Sequence, residues 1–585
     1  MAAAKAAANQ HIVSNILYHL RNQKIKERRQ RGPDHPVELV ATCPSLLPAL
    51  TVNKLWADAG TSIIWSRYPR LPALRDVESA RRQQYADKVT KTYLIQPQPD
   101  EDLDYLSNLK WPLLSSVELV LDFAQFGPQL MNMFTPSLHF FALGSPQSCT
   151  ASHFIQTILP TILALCPNLQ GFNLGPGIFP TSEASLPNEL CDQLDVIPSI
   201  KAIQVKHSGI SDDLLFSRLS RRVGLLALQI DLVSGSQLLP LFESTESEPP
   251  FASLQRLDIS CSPENALAML PHLPMLENLQ VHVRRTGTES PQDSDKSILG
   301  DLLTSVASAS NLRVLSIIMG AISKPFAPEV ESPVLSGPAL VDLARNNTKL
   351  KVLKISPSEP QSIDGSAIST EDFELFCSLL PHLEGLTLKF DPETVQHLTH
   401  TILESLGQHC RSLHFIRLRM SATLPGLPIS NTTPRITLDA PVSSSPDQES
   451  WFDKLNGDTP SSTPLFPCLA HLAIARPDTI LAFPPDSSSE HLDQQLKEYL
   501  VRSWADALLA DFPRLEILEA WGDWIGNDAK SLNYLLPTQG VLHCMWEFLR
   551  GIEQDIWVDE EEEEEGASDW DVASGLNELV SGDES

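Results

Sequence analysis

One short apolar pattern recurs along this chain and constrains its fold more than any other feature: apolar, two other residues, apolar, one other, apolar. It runs through Leu114-Val117-Leu119, Leu169-Phe172-Leu174, Ile200-Ile203-Val205, Leu225-Leu228-Ile230, Leu254-Leu257-Ile259 and Leu276-Leu279-Val281. It continues through Leu312-Leu315-Ile317, Leu350-Leu353-Ile355, Leu383-Leu386-Leu388, Leu413-Ile416-Leu418, Leu469-Leu472-Ile474 and Leu515-Leu518-Ala520. The last two positions of each triad lie two apart, so on a strand they face one side. The first sits just before the strand and caps the same core. Pro, Ser or Asn often precedes it, as in Pro167-Asn168-Leu169, and breaks the preceding helix.

The intervening segments carry helical signals. Ser369-Thr370-Glu371-Asp372 reads as a capping box with Phe373, Phe376 and Leu380 on one face behind it. Phe154, Ile155, Ile158, Leu159 and Ile162 form a second stripe, in which Pro160 should end or kink the helix. Leu299, Leu303 and Val306 form a third. Strand plus helix at roughly 22 to 38 residues per unit resembles a leucine-rich-repeat array, in particular the longer ribonuclease-inhibitor-like and F-box-associated repeats. The competing reading is an ordinary α/β protein whose strands end in Leu-x-Leu; a dozen instances favour the repeat. The asparagine those families often carry after the strand is mostly missing, so the solenoid is expected to be irregular. Wider gaps between Leu119 and Leu169 and between Leu418 and Leu469 leave the unit boundaries open there. Segment 421–464, rich in Ser, Thr and Pro, reads as a mobile surface insertion, and 284–297 and 322–336 as shorter ones.

The N-terminal end differs. His11 to Leu20 reads as a helix with Ile12, Ile16 and Leu20 spaced by four and Val13 and Leu17 beside them. A basic stretch, Arg21 to Pro36, separates it from a leucine helix (Leu46, Leu47, Leu50) and from Val52-Asn53-Lys54-Leu55-Trp56 and Ile63-Ile64-Trp65. Val52, Leu55, Trp56, Ala59 and Ile63 fit one helical face. This order of elements, over roughly Asn9 to Trp65, resembles an F-box of the kind found in fungal F-box proteins. The resemblance implies docking on a Skp-type adaptor that joins a cullin ubiquitin ligase. It also implies the adaptor-binding residues Ile12, Ile16, Leu17, Leu20, Leu46 and Leu50, with Val52 and Trp56 partly structural. Asn9-Gln10-His11 stands where the family usually has Leu-Pro and an acidic residue. The alternative is a helical cap, which a solenoid end needs in any case.

The expected fold class is thus an α/β repeat: a small N-terminal helical F-box-like module, then an irregular leucine-rich-repeat solenoid. The expected division is 9–70 for the module, 71–110 for a helical linker or cap, 111–550 for the solenoid with its insertion at 421–464, and 551–585 for an acidic disordered tail. After Gly551 there are 14 acidic residues and no Lys or Arg, close to half of the net charge of −30. Met1 to Asp100 carries 15 basic against 8 acidic residues. An acidic whole makes a poor nucleic-acid binder, so no nucleic acid is expected as partner. No apolar run is long enough to cross a membrane, the first ten residues lack a signal core, and nine scattered cysteines form no CxxC pair. A reducing compartment, cytoplasmic or nuclear, is the expectation.

No phosphate-binding glycine loop or nucleophile elbow is present. His397 and His400 with His409-Cys410 have helical chelate spacing, but no second cysteine pair joins them, and a solvated helix face is the simpler reading. Lys24 to Arg31 fits a nuclear-import signal, an acid-binding patch or a solvated helix. Trp557 and Trp570 flank the acidic run Asp559–Glu565 and could dock on the solenoid or on a partner. No enzyme activity, metal or cofactor is expected. Gln204, Gln229, Gln280 and Lys354, next to core positions, are candidates to line the concave face that would hold an unknown protein substrate. The function so implied is substrate recruitment to a ubiquitin ligase; the alternative is a repeat scaffold with no ligase link.

Overall fold

A computed structural model describes residues 9–29, 46–95, 102–144, 153–175, 186–197, 199–205, 213–232, 238, 241–242, 250–284, 296–320, 332–358, 361–425, 463–474, 508–515 and 517–520, with side chains left out for 20–29, 124, 186–188 and 517–520. The other residues, among them the acidic tail and most of the 421–464 insertion, lie outside the described set.

Among the described residues, fourteen strands form one parallel sheet in strict chain order. They are β1 Lys91–Ile95, β2 Ser116–Val120, β3 Phe140–Gly144, β4 Gly171–Leu174, β5 Ala202–Gln204, β6 Ala227–Asp231 and β7 Arg256–Cys261. Then come β8 Asn278–Val283, β9 Val314–Met319, β10 Val352–Pro357, β11 Gly385–Leu388, β12 Phe415–Leu418, β13 His471–Ile474 and β14 Ile517–Ala520. Sequential order with parallel pairing means that every unit returns the chain to the same end of the sheet, which is the geometry of an open solenoid. Each of the twelve triads read from the sequence places its middle residue on one of these strands. Their middle positions pair without a break: Val117, Phe141, Phe172, Ile203, Leu228, Leu257, Leu279, Leu315, Leu353, Leu386, Ile416, Leu472 and Leu518.

Two strands were not among the twelve. β3 carries Leu138, Phe141 and Leu143, all buried, and fills the gap left between Leu119 and Leu169. β1 lies inside 71–110, the segment expected to be a helical linker. It places Thr92 where the other strands place an apolar residue, and Thr92 pairs with Val117. A hydroxyl at that position hides the pattern. Across the gap between Leu418 and Leu469, β12 pairs directly with β13, Phe415 against His471, so no strand comes between them in the sheet.

The helices cover one side of the sheet and share one continuous core with it. Ser369 caps the helix Thr370–Leu379, its side chain accepting from the Asp372 N–H at 3.0 Å. Phe373, Phe376 and Leu380 are fully buried behind it. Pro160 does not end the helix as expected: a π-turn over Phe154–Ile158 runs on without interruption into an α-helix at Leu159–Leu165, with the proline in its first turn. Each fully buried Leu, Ile or Phe contributes about 1.5–3 kcal/mol, so a stacked array gains a core that no single unit could build.

Among the described residues, the first helices ahead of the sheet are α1 Gln10–Arg29, α2 Leu47–Leu50 and α3 Lys54–Ser66, and a 3-10 turn at Leu71–Leu74 and a helix at Ser79–Ala86 follow them before β1. α1 does not stop at Leu20 but continues through most of the basic run to Arg29. The leucine helix is a single turn. Val13, Leu17, Leu46 and Ala59 form a separate small core, with Ala49, Leu55, Trp56, Ile63 and Ile64 packed on it. Asn53 caps α3 by accepting from the Trp56 N–H at 3.1 Å. α3 approaches α2 at Gly60, where a Cβ would run into the Leu50 side chain and stand 3.7 Å from Leu17.

The end of α3 ties the module to the sheet. The Thr90 N–H donates to the Ser66 carbonyl at 2.7 Å, and the Tyr68 N–H to the Lys91 carbonyl at 2.8 Å. Trp65 leaves the small core and packs on Tyr85 with the rings tilted, 4.8 Å between centroids, against the solenoid core. The segment after α3 therefore covers the outer edge of β1.

Candidate functional site

Two surfaces offer side chains to a partner. The first is the outside of the N-terminal module. α1 begins at Asn9, whose side chain accepts from the His11 N–H at 3.0 Å. Helical spacing then divides neighbouring residues: Val13 and Leu17 point into the module core, while Ile12 and Ile16 remain 39% and 41% exposed. The same division falls between Leu46, fully buried, and Leu47, 59% exposed. Val52, in the turn before the Asn53 cap, is 57% exposed.

Of the eight residues that the F-box resemblance nominated, Ile12, Ile16 and Val52 are presented to solvent. Trp56 is half-buried against the module core, and Leu50 is half-buried beside Gly60 of α3. Leu17 and Leu46 are fully buried and serve as core rather than contact residues, because α1 and α2 meet α3 on that side. The side chain of Leu20 is not among those described. Leu47 and Tyr18, 54% exposed, were missed. A Leu-Leu pair carries no signal for which member faces inward until the packing partner is known.

The second surface is the face of the sheet opposite the helices. One register row runs Tyr93, Glu118, Ala142, Asn173, Gln204, Gln229, Asp258, Gln280, Ser316, Lys354, Thr387, Arg417, Ala473 and Glu519. Gln204, Gln229, Gln280 and Lys354, the four nominated from sequence, all fall in this row and are half-buried. The row is polar because alternation sends the apolar residues to the helices.

Charge along this face is uneven. Its early part carries Glu118, which accepts from the Tyr68 hydroxyl at 3.3 Å. Burial, with the Glu118 charge beside it, raises the Tyr93 phenol above its usual range. Asp258 follows on β7. Towards β10–β12 the cations Lys354 and Arg417 replace the acids.

Histidines and cysteines are engaged in local structure. His397 Nε2 lies 2.7 Å from the Ile368 carbonyl, and His400 Nδ1 lies 2.7 Å from Thr423 Oγ1. The Cys410 thiol donates to the Cys377 carbonyl at 3.4 Å. No group of three His, Cys, Asp or Glu among the described residues is placed to hold a metal. Burial pushes the Cys166 and Cys261 thiols up to about 12 and the Cys377 thiol well above its ordinary value. These sulfurs are protonated at neutral pH, which makes them poor nucleophiles.

No protein-family model matches this chain, and no curated protein does. Two solved structures are similar in outline. One is the complex of Rad7 and Elc1 in yeast, 14% identical at a TM-score of 0.36, covering 62% of this chain and 88% of that one. The other is the leucine-rich-repeat-containing protein LegL7 from Legionella pneumophila, 12% identical at a TM-score of 0.24, covering 72% and 98%. At such scores the solenoid assignment stands on the sheet itself, fourteen parallel strands in chain order among the described residues. Among the described residues, no helix is long and apolar enough to cross a membrane.

Proposed function

We propose that this protein is a non-catalytic recruiting adaptor. Its N-terminal module binds a Skp-type adaptor of a cullin ubiquitin ligase, and its sheet face holds the protein to be modified. The observation that carries this reading is the division of apolar residues on the module. Val13, Leu17 and Leu46 complete a small core, so Ile12, Ile16, Leu47 and Val52 are left exposed without a structural task. Apolar residues left exposed at i and i+4 of a helix, as Ile12 and Ile16 are, suit docking of that helix face against a partner's groove. The order of elements resembles an F-box, in which the first helix and the following turn supply such anchors. The expected place of work is the cytoplasm or nucleus.

The junction at β1 favours a second reading. Ser66 to Tyr68 and Trp65 cover the sheet's first edge, as a terminal cap must. On that reading the module has no partner, and the protein is a repeat scaffold.

Binding of the full chain to a purified Skp-type adaptor separates the two. Wild-type protein should bind saturably, and the Ile12→Asp, Ile16→Asp double variant should lose at least tenfold in affinity with an unchanged melting temperature. Leu17→Asp is not a usable probe, since an unpaired carboxylate in the module core would unfold it. Absence of binding by folded wild type leaves the scaffold reading.

A further inference from the structure

We propose that the acidic segment after Gly551 docks, within the same chain, on the cationic surface of the N-terminal module and of the helix Ser79–Ala86 that follows it. The described residues 10–29 and 46–91 carry 13 basic against 5 acidic residues, whereas 101–585 carries 28 against 65. Five of the bases, Arg21, Lys24, Lys26, Arg28 and Arg29, fall in the last nine residues of α1, with Glu27 alone against them. A second group gathers where α3 meets the helix Ser79–Ala86. Lys88 Nζ donates to the Asp58 carbonyl at 3.5 Å, one helical turn along α3 from Lys54. The Gln83 side chain exchanges two hydrogen bonds with the Lys110 backbone, at 2.9 and 2.7 Å, which sets Lys110 beside the helix of Arg81 and Arg82. Among the described residues, Lys54, Arg70, Arg81, Arg82, Lys88 and Lys110 form no ion pair. Their side-chain partners are neutral: Arg81 donates to the Tyr85 hydroxyl at 3.3 Å, and Arg82 to the Val77 and Arg75 carbonyls at 2.9 and 3.0 Å. The nearby Asp87 is engaged by the Gln83 amide at 2.6 Å.

The occupant follows from charge and reach. Asp559–Glu565 is seven carboxylates in a row, and 552–585 holds no Lys or Arg. Such a block repels itself and gains by meeting cations. The rest of the chain is acidic and repels it, so the N-terminal end is where the field attracts it. Thirteen strand spacings of about 4.8 Å put β1 about 62 Å from β14 along the sheet. The 38 residues 521–558 span at most about 125 Å, so connectivity permits the return. Tethering gives the segment an effective concentration that reaches about the millimolar range, which favours it over an acidic partner free in solution. Single exposed ion pairs contribute little, so the contact depends on many at once and weakens as salt screens them. It draws on none of Ile12, Ile16, Leu47 and Val52, so it stands or falls separately from adaptor binding.

The test uses the full-length chain and a full-length variant carrying Glu560→Gln, Glu561→Gln, Glu562→Gln, Glu563→Gln, Glu564→Gln and Glu565→Gln. Zero-length carbodiimide cross-linking of dilute wild type at low salt should join carboxylates of 559–565 to Lys24, Lys26, Lys54, Lys88 or Lys110 within monomers. Raising the salt to about 0.5 M should abolish those links. Acetylation by an N-hydroxysuccinimide ester reads the same contact from the other side. Exposed Lys54 and Lys110 should label about threefold faster or more in the variant than in wild type. Lys201, equally exposed just before β5, should label alike in both. The proposal is overturned by wild type that forms no link to these lysines, by links confined to cross-linked dimers, or by equal labelling of Lys54 and Lys110 in the two proteins.

Discussion

Thr92 shows what one polar atom costs in a repeat. It is fully buried, it stands at the core position of β1, and its hydroxyl has no hydrogen-bond partner. An unmet buried hydroxyl is unfavourable by about 1–3 kcal/mol, whereas valine has the same shape without the oxygen. Thr92→Val should therefore stabilise the protein by about 1 kcal/mol, read as a higher midpoint in urea; a lower midpoint would show that the hydroxyl is bonded. The buried thiols give a second test at this scale. Cys166 and Cys261 are pushed up to about 12 by burial, against 9.0 for the unfolded chain. Raised folded values mean that the contribution to stability is complete below pH 9 and is lost as pH rises from 9 towards 12. Unfolding free energy should fall across that window. At pH 7.5 neither thiol should react with iodoacetamide until the chain unfolds, and rapid labelling of native protein would contradict the burial argument.

At the scale of elements, local signals decided where helices begin and tertiary contacts decided where they run. Ser369 was legible as a cap because its side chain needs only a backbone N–H three residues away. Ser369→Ala should cost about 1 kcal/mol, measured by chemical denaturation, while leaving the sheet face untouched. Pro160 was read as ending or kinking its helix, yet helical backbone runs through it: a chain-local rule says that a proline breaks a helix, not that a preceding π-turn accommodates it. α1 was read as ending at Leu20, where the apolar spacing stops, yet its backbone continues to Arg29. A charged continuation of a helix has no periodic signature of its own.

For the whole molecule, the paired register across the insertion matters most. β12 and β13 pair from Phe415–His471 to Leu418–Ile474, although 426–462 separates them in sequence. Arg411 Nη2 donates to the Pro464 carbonyl at 3.3 Å, binding the returning chain to the array. Loop length adds little to closure entropy, about 0.6 kcal/mol per doubling. Replacing 426–462 by a short Gly/Ser linker should leave the melting temperature and its single cooperative transition unchanged; a split transition would show that the insertion supports the repeats. The 14 acidic residues after Gly551 give the chain a dipolar sequence, basic at one end and acidic at the other.

Period-two apolar spacing, repeated at solenoid intervals, was enough by itself to specify twelve of the fourteen strands, their order and which residues enter the core. A strand's two faces are set by covalent geometry, so the pattern needs no partner to be read. The order of helices in the N-terminal module was legible for a similar reason. Which of Leu46 and Leu47, or of Ile16 and Leu17, is buried was decided only when α1 and α2 met α3, because adjacent apolar residues on a helix differ only in what they pack against. That Lys354, Thr387 and Arg417 share one row was likewise invisible in the sequence, because only in-register stacking of β10, β11 and β12 brings them side by side.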